Sequence, residues 1–150
     1  NFPGSNLHAA HLKSIKIVKP HLPNSDVSQA NLQIASLDGA NLENANLTNV
    51  YAPGNVKLTG ANLNRAKLTN SNFFSINLCG ADLVEADLRG VSFSHGKLAG
   101  ADFTGADLRS ANLKSADLSG AQFTNAKLGG AQLEDANLSK AIMPDGTMHE

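Results

Sequence analysis

The chain has 150 residues, a formal net charge of −1, 5% aromatic residues and no tryptophan, which suits one domain but leaves little aromatic bulk for a wide globular core. With 12 Lys and Arg against 13 Asp and Glu, it has neither the basic excess of a nucleic-acid binder nor the acidic excess of a phosphate-backbone mimic. No apolar run is long enough to span a bilayer or form an intact signal peptide, and lone Cys79 cannot close an internal disulfide.

The predicted elements are units of five residues. From Phe2 an apolar residue recurs at Leu7, Leu12, Ile17, Leu22 and Val27. We term this residue the centre of the unit, and the residue two before it the small position. Ile15 and Pro20 are bulky for a small position, so residues 1–29 read as degenerate repeats or an N-terminal cap. A short closing helix over His8–Lys19 is the competing reading. From Ala30 the unit is regular, with centres Leu32, Leu37, Leu42 and Leu47. Leu47 and Leu58 are eleven residues apart instead of ten, which places a one-residue insertion within residues 48–57. Ala52 is a poor centre there and Pro53-Gly54 marks a turn. A bulge absorbed by the stack is the expectation, and a projecting loop around Tyr51 that a partner recognises is the functional alternative. From Leu58 to Leu138 a Leu or Phe occupies all seventeen centres, and Ala fills twelve of the seventeen small positions. Met143-Pro144-Asp145-Gly146 breaks the pattern. Residues 142–150 therefore read as a C-terminal cap, with the methionines over the last open coil.

A period of five cannot be buried by a helix, because centres advancing by about 140° per unit spread around every side. It cannot be buried by a flat strand either, since odd spacing sends alternate leucines to the wet face. If the chain turns by about 90° after every unit, all centres and small positions point inward and four units close one coil. Coils stacked at the strand spacing of about 4.8 Å make a rod of about seven coils and about 34 Å. Phe73 then lies under Phe93 and Phe103 under Phe123. Gly or Asn recurs at the unit's end, as at Gly60, Asn70, Gly80 and Asn125, where a type II turn demands positive φ.

The units ANLEN, ANLTN, ADLVE and ADLRG, and the run from ADFTG to ANLSK, closely resemble the A-(D/N)-L-x-x consensus of the pentapeptide repeat proteins. The resemblance covers residues 30–141 and implies an all-β right-handed quadrilateral parallel β-helix, so residues 1–150 are expected to form a single solenoid domain. The handedness comes from the resemblance alone. Beside the reading that the residues give, a non-enzymatic scaffold presenting flat polar walls to a partner protein, the resemblance offers as an alternative function a DNA-mimic inhibitor of a type II topoisomerase, gyrase, which the near-neutral charge disfavours. The family is abundant in cyanobacteria and reaches the plant thylakoid lumen. A start at Asn1 fits a processed precursor, periplasmic or lumenal, or an excised segment of a cytoplasmic protein.

No catalytic constellation, cofactor fingerprint or metal-ligand spacing is present. His11 and His21 point to opposite walls, and the glycines keep the period of the turns. Residues twenty apart should stack, which puts Lys67, Asp87, Asp107 and Lys127 in one column with Arg89 and Arg109 beside it. A second column pairs Asp82 with Asp102, near Glu85. The charged column reads first as a solvated wall laced with salt bridges and second as a docking patch. The candidate interaction surface is Arg89, Arg109, Asp87, Asp107, Phe74 and Tyr51, with Phe74 turned outward because it follows a centre. The expected partner is an unidentified protein. No nucleic acid and no membrane insertion are expected, and the rod is a monomer or an end-to-end dimer.

Overall fold

From Asn6 on, every residue that precedes a centre pairs in parallel with its counterpart one coil away, and these pairings define four faces. In the computed structural model, which describes residues 1–150, the first face runs His21, Asn41, Asn62, Asp82, Asp102, Gln122, Ile142. The second face is Asn6, Asp26, Asn46, Lys67, Asp87, Asp107, Lys127. The third is His11, Asn31, Tyr51, Asn72, Ser92, Asn112, Gln132, and the fourth Lys16, Ser36, Lys57, Asn77, Lys97, Asp117, Asn137. This is a four-sided parallel β-helix of seven coils closed by a terminal turn. No residue is α-helical. His11 and Lys16 pair with Asn31 and Ser36, so His8–Lys19 continues the coil, because a ladder partner is available to backbone that a helix would withdraw.

The centres from Leu32 to Phe123 are buried, and all but Leu37 are no more than 1% exposed. Phe73 and Phe93 pack at 6.0 Å between ring centroids, and Phe103 and Phe123 stack at 5.1 Å with planes 4° apart. Nearly every centre carbonyl accepts from the amide three residues on, as Leu58 does from Ala61 and Leu63 from Ala66; Ile17, Leu47 and Ala52 are the exceptions. The third residue of each such turn has positive φ, including Arg65, Glu85 and Lys140, where the sequence pattern led us to expect only Gly or Asn. The ladder on both sides of the corner holds the turn, so the cost of about 1–2 kcal/mol for a non-glycine residue is absorbed.

The inserted residue lies in the turn Pro53-Gly54-Asn55, where both Gly54 and Asn55 have positive φ. Pairing shifts there from twenty residues to twenty-one, as Ser36 with Lys57. Ala52 is a true centre, fully buried in register with Phe73. The turn just before Ala52, Leu47–Val50, is opened, and the buried Ser71 hydroxyl one coil on enters it, donating to the Leu47 carbonyl at 2.6 Å and accepting from the Val50 amide at 2.9 Å. Serine at a small position thus satisfies two backbone groups that would otherwise be orphaned.

The two ends differ from the middle. Around Ile15 and Pro20 the first coils enclose an apolar cavity of about 380 Å³ that reaches Leu42 and Leu47. At the other end Met148 pairs antiparallel with Ile142, and the Met143 amide donates to the Thr147 carbonyl. The chain therefore closes in a hairpin. Met148 is exposed instead of covering the core, because the hairpin's hydrogen bonds, with Asp145 accepting from Thr147, set its direction.

Candidate interaction surface

With the interior filled by centres and small positions, polar chemistry is confined to the walls and corners. No three His, Cys, Asp or Glu side chains converge. Every buried side-chain polar atom has a hydrogen-bond partner. The mid-rod surface offers one shallow polar hollow, at the corner between the second and third faces, lined by Asn70, Arg89, Gly90, Arg109, Ser110 and Gly129.

Asn or Asp recurs before the centres for a local reason that sequence reasoning missed. Its side-chain oxygen accepts from the amide two residues on, as Asn62 from Asn64 at 3.0 Å, Asn72 from Phe74 at 3.1 Å and Asp102 from Thr104 at 2.8 Å. These bonds occupy a donor that the corner leaves unpaired. Asp102 is thereby accounted for as backbone chemistry, and its stacking on Asp82 needs no ligand to explain it. The signal was present in the sequence as the recurrent D/N itself.

The structure divides the six candidate residues into two groups. On the second face Asp87 and Asp107 are adjacent, with Lys67 and Lys127 beyond them. Arg89 grips Asp87 with Nε at 2.8 Å and Nη2 at 2.6 Å, and Arg109 grips Asp107 at the same two distances. Each pair is a two-point fork within one repeat. Asp87 and Asp107 are therefore neutralised by their own arginines, while the lysines above and below contribute the column's remaining charge. Both carboxyls lie below the usual range, chiefly through the arginine side-chain hydrogen bonds and against the burial that opposes them. Asp107 reaches about 2, helped by the Arg109 and Lys127 charges. A carboxyl depressed in the folded state adds stability above its unfolded pKa and loses it as pH falls through the folded value. The contribution of Asp107 is thus intact above about pH 4 and gone by about pH 2. Asp107→Asn should flatten this acid limb of a urea-midpoint-against-pH curve; an unchanged limb would remove the assignment.

Phe74 and Tyr51 form the second group, Tyr51 on the third face and Phe74 at its far corner from the arginines. Phe74 is 43% exposed and leans on His95 at 5.3 Å; Tyr51 is 52% exposed between Asn31 and Asn72. Sequence reasoning missed Ile34, which stands 52% exposed at the same corner as Phe74 and Pro53. Its place became visible only once the corner was assembled. Arg65, also unremarked, bridges Glu43 at 3.7 Å and Glu85 at 2.9 Å across three coils. Cys79 is half-buried.

Comparison with known proteins gives the following. A family model described as "Pentapeptide repeat region" matches residues 54–123, and one described as "Pentapeptide repeats (8 copies)" matches residues 20–50 and 116–148. Among solved structures, QnrB1, a plasmid-mediated fluoroquinolone resistance protein, superposes with a TM-score of 0.56 at 20% identity, over 93% of this chain and 75% of that one. Rfr23, a pentapeptide repeat protein of the cyanobacterium Cyanothece 51142, does so at 0.58 and 22% identity, over 83% of this chain and 84% of that one. At these identities the likeness is one of fold. No curated protein matches the chain.

Proposed function

Because this chain belongs to the pentapeptide repeat family and folds as its right-handed quadrilateral β-helix, we propose that it is a non-enzymatic scaffold that displays patterned polar walls to a partner protein. The observation that carries this reading is the apolar interior: even the cavity of the first coils is lined mainly by aliphatic side chains and brings no acid, base and nucleophile together, whereas four extended walls present side chains at the fixed ladder spacing of about 4.8 Å. A rigid backbone lowers the ordering cost of binding, since the groups that touch the partner are already held.

The candidate surface spans the third face and its two sides, with Asp87 and Asp107 on the second face, Arg89 and Arg109 at the corner between, Tyr51 on the third face and Phe74 at its far corner. The test is capture of partners by wild-type protein, by an Arg89→Ala/Arg109→Ala variant and by a Tyr51→Ala/Phe74→Ser variant, each first shown to keep its melting temperature. At least one variant should lose a partner that the wild type recovers. Recovery unaffected by any wall substitution would sink the display reading. The fluoroquinolone resistance of QnrB1 motivates one further assay, inhibition of gyrase supercoiling. We expect none, because the acidic columns of this rod are interrupted by Lys67, Lys127, Arg89 and Arg109, whereas displacing DNA calls for sustained negative charge.

A further inference from the structure

Charge is distributed unequally among the four faces, and the fourth carries three lysines against one acid, Asp117 on the rung after Lys97. Lys16, Lys57 and Lys97 occupy alternate rungs of it, separated by Ser36 and Asn77. Lys13 lies on its leading corner. All four are exposed, and the five ion pairs of the molecule involve other residues. Across residues 13–17, 33–37, 53–58, 74–78 and 94–98, which build this face and its leading corner in five coils, there is no Asp or Glu. The two acids that adjoin these coils are already engaged: Asp117, one rung past Lys97, accepts from the Ser119 amide and the Asn137 side chain at 3.1 Å each, and Asp38 on the trailing corner accepts from the Thr59 amide at 2.9 Å and the Ser36 hydroxyl at 3.3 Å.

The leading corner of the same face holds Ile34 and Phe74, with Tyr51 just around it. Ile34 is the informative one. It sits at φ +61°, the sole β-branched side chain among the positive-φ residues, where sterics disfavour any residue but glycine and a branched one most. An exposed, strained isoleucine contributes nothing to this fold that asparagine or glycine would not supply better. Strain kept at an exposed position points to a use outside the fold. The one-residue insertion at Pro53-Gly54-Asn55 lies at this corner too, between the coils of Ile34 and Phe74.

We infer that the fourth face and its leading corner dock an acidic amphipathic α-helix of a partner protein, lying along the rod with acidic groups over Lys16, Lys57 and Lys97 and apolar groups over Ile34 and Phe74. The spacing selects the helix. Alternate rungs are about 9.6 Å apart and the three lysines span about 19 Å. Positions seven apart on a helix are about 10.5 Å apart, and fourteen apart about 21 Å. Flexible lysine stems absorb the difference. An apolar stripe three or four residues from each acid falls on the adjoining side of the helix, where the corner carries Ile34 and Phe74. This inference rests on the display reading and names the partner's chemistry.

The test uses the full chain and a fluorescein-labelled synthetic 18-residue helix with glutamates at heptad spacing and leucines three and four residues from each. A scrambled peptide of the same composition is the control. Binding by anisotropy should be saturable, weaken with salt, and favour the heptad peptide over the scrambled one by at least about tenfold. Lys16→Glu/Lys57→Glu/Lys97→Glu should weaken it about 100-fold or more. Ile34→Gly should weaken it several-fold while raising the melting temperature, a combination that a structural role for Ile34 would not give. Asp82→Asn on the first face should change nothing. Equal affinity for the scrambled peptide, or indifference to the triple substitution, overturns the inference. So does preference for phosphatidylserine vesicles over the peptide, or occupation of the face by a second copy, seen as self-association abolished by the same triple variant. If the peptide fails while the Arg89/Arg109 variant still loses a captured partner, the helix is wrong and display stands; if no wall variant matters either, both fall.

Discussion

Leu108→Asp should abolish cooperative folding. Leu108 is fully buried in the column that continues through Leu88 and Leu128, and its amide lies 2.9 Å from the Lys127 carbonyl of the next coil. Replacing it removes a packed side chain, at about 2–5 kcal/mol. It also puts a carboxylate where neither water nor a cation can reach, at several kcal/mol more. Against a total stability of roughly 5–15 kcal/mol for a domain, that sum is decisive. The effect propagates, because each coil is held by its two neighbours and a break mid-rod leaves two short stacks with newly exposed apolar ends. The expected readout is loss of the sigmoidal urea transition and of β-type circular dichroism at 25 °C. A variant that melts like the wild type would show that this centre does not face inward.

The second large effect is expected at Phe73→Ala, and here the neighbour sets the size. In most columns a Leu or Phe lies above and below every centre, but Phe73 has Ala52 on one side and Phe93 on the other. The ring is the bulk that an alanine at position 52 leaves to be filled. Truncation would set two alanines in succession and open a void that the ladder on all four walls prevents from collapsing. A loss at the upper end of the usual 3–5 kcal/mol for Phe→Ala is therefore expected in urea denaturation. Ala52→Leu alone should destabilise by overpacking against Phe73. Together the two substitutions should recover part of the loss, so the double-mutant cycle should give a coupling energy above about 1 kcal/mol. Strict additivity would mean that the two residues do not share a column space.

The same neighbour relation explains how much of the molecule could be read before its coordinates. Period-five spacing admits one way to put Leu63, Leu68, Phe73 and Leu78 all indoors, so the coil, the columns and the Phe73–Phe93 and Phe103–Phe123 pairs follow from counting. The charged column of Lys67, Asp87, Asp107 and Lys127 follows from the same count. Counting does not say what a side chain does at its rung. Asp87 could have been shared between coils or held by Arg89 two residues along, and the rotamer that lets the guanidinium fold back on its own repeat is a tertiary outcome. The candidate surface was accordingly half legible: Phe74 is exposed as its place after a centre required, Tyr51 is exposed but as a paired rung of the third face and not on a projecting loop, and Ile34 was hidden among ordinary turn residues.

What the sequence determined by itself is the repeat and everything that repeats with it: the four faces, the buried columns, the quarter-turn at each fifth residue. These follow from a single requirement, that regularly spaced apolar groups leave water together, and that requirement has no other solution at this period. The tertiary structure decided where regularity fails. It assigned the inserted residue to the Pro53–Asn55 turn, drew Ala52 into the core, and sent the Ser71 hydroxyl into the opened Leu47–Val50 turn. It also left three lysines of one face unpaired while pairing the arginines of another. Apart from the arginine forks, which close within one repeat, those outcomes depend on contacts between residues about twenty apart whose identities no local pattern links. They become defined when the coils stack and each side chain meets the neighbour above and below it.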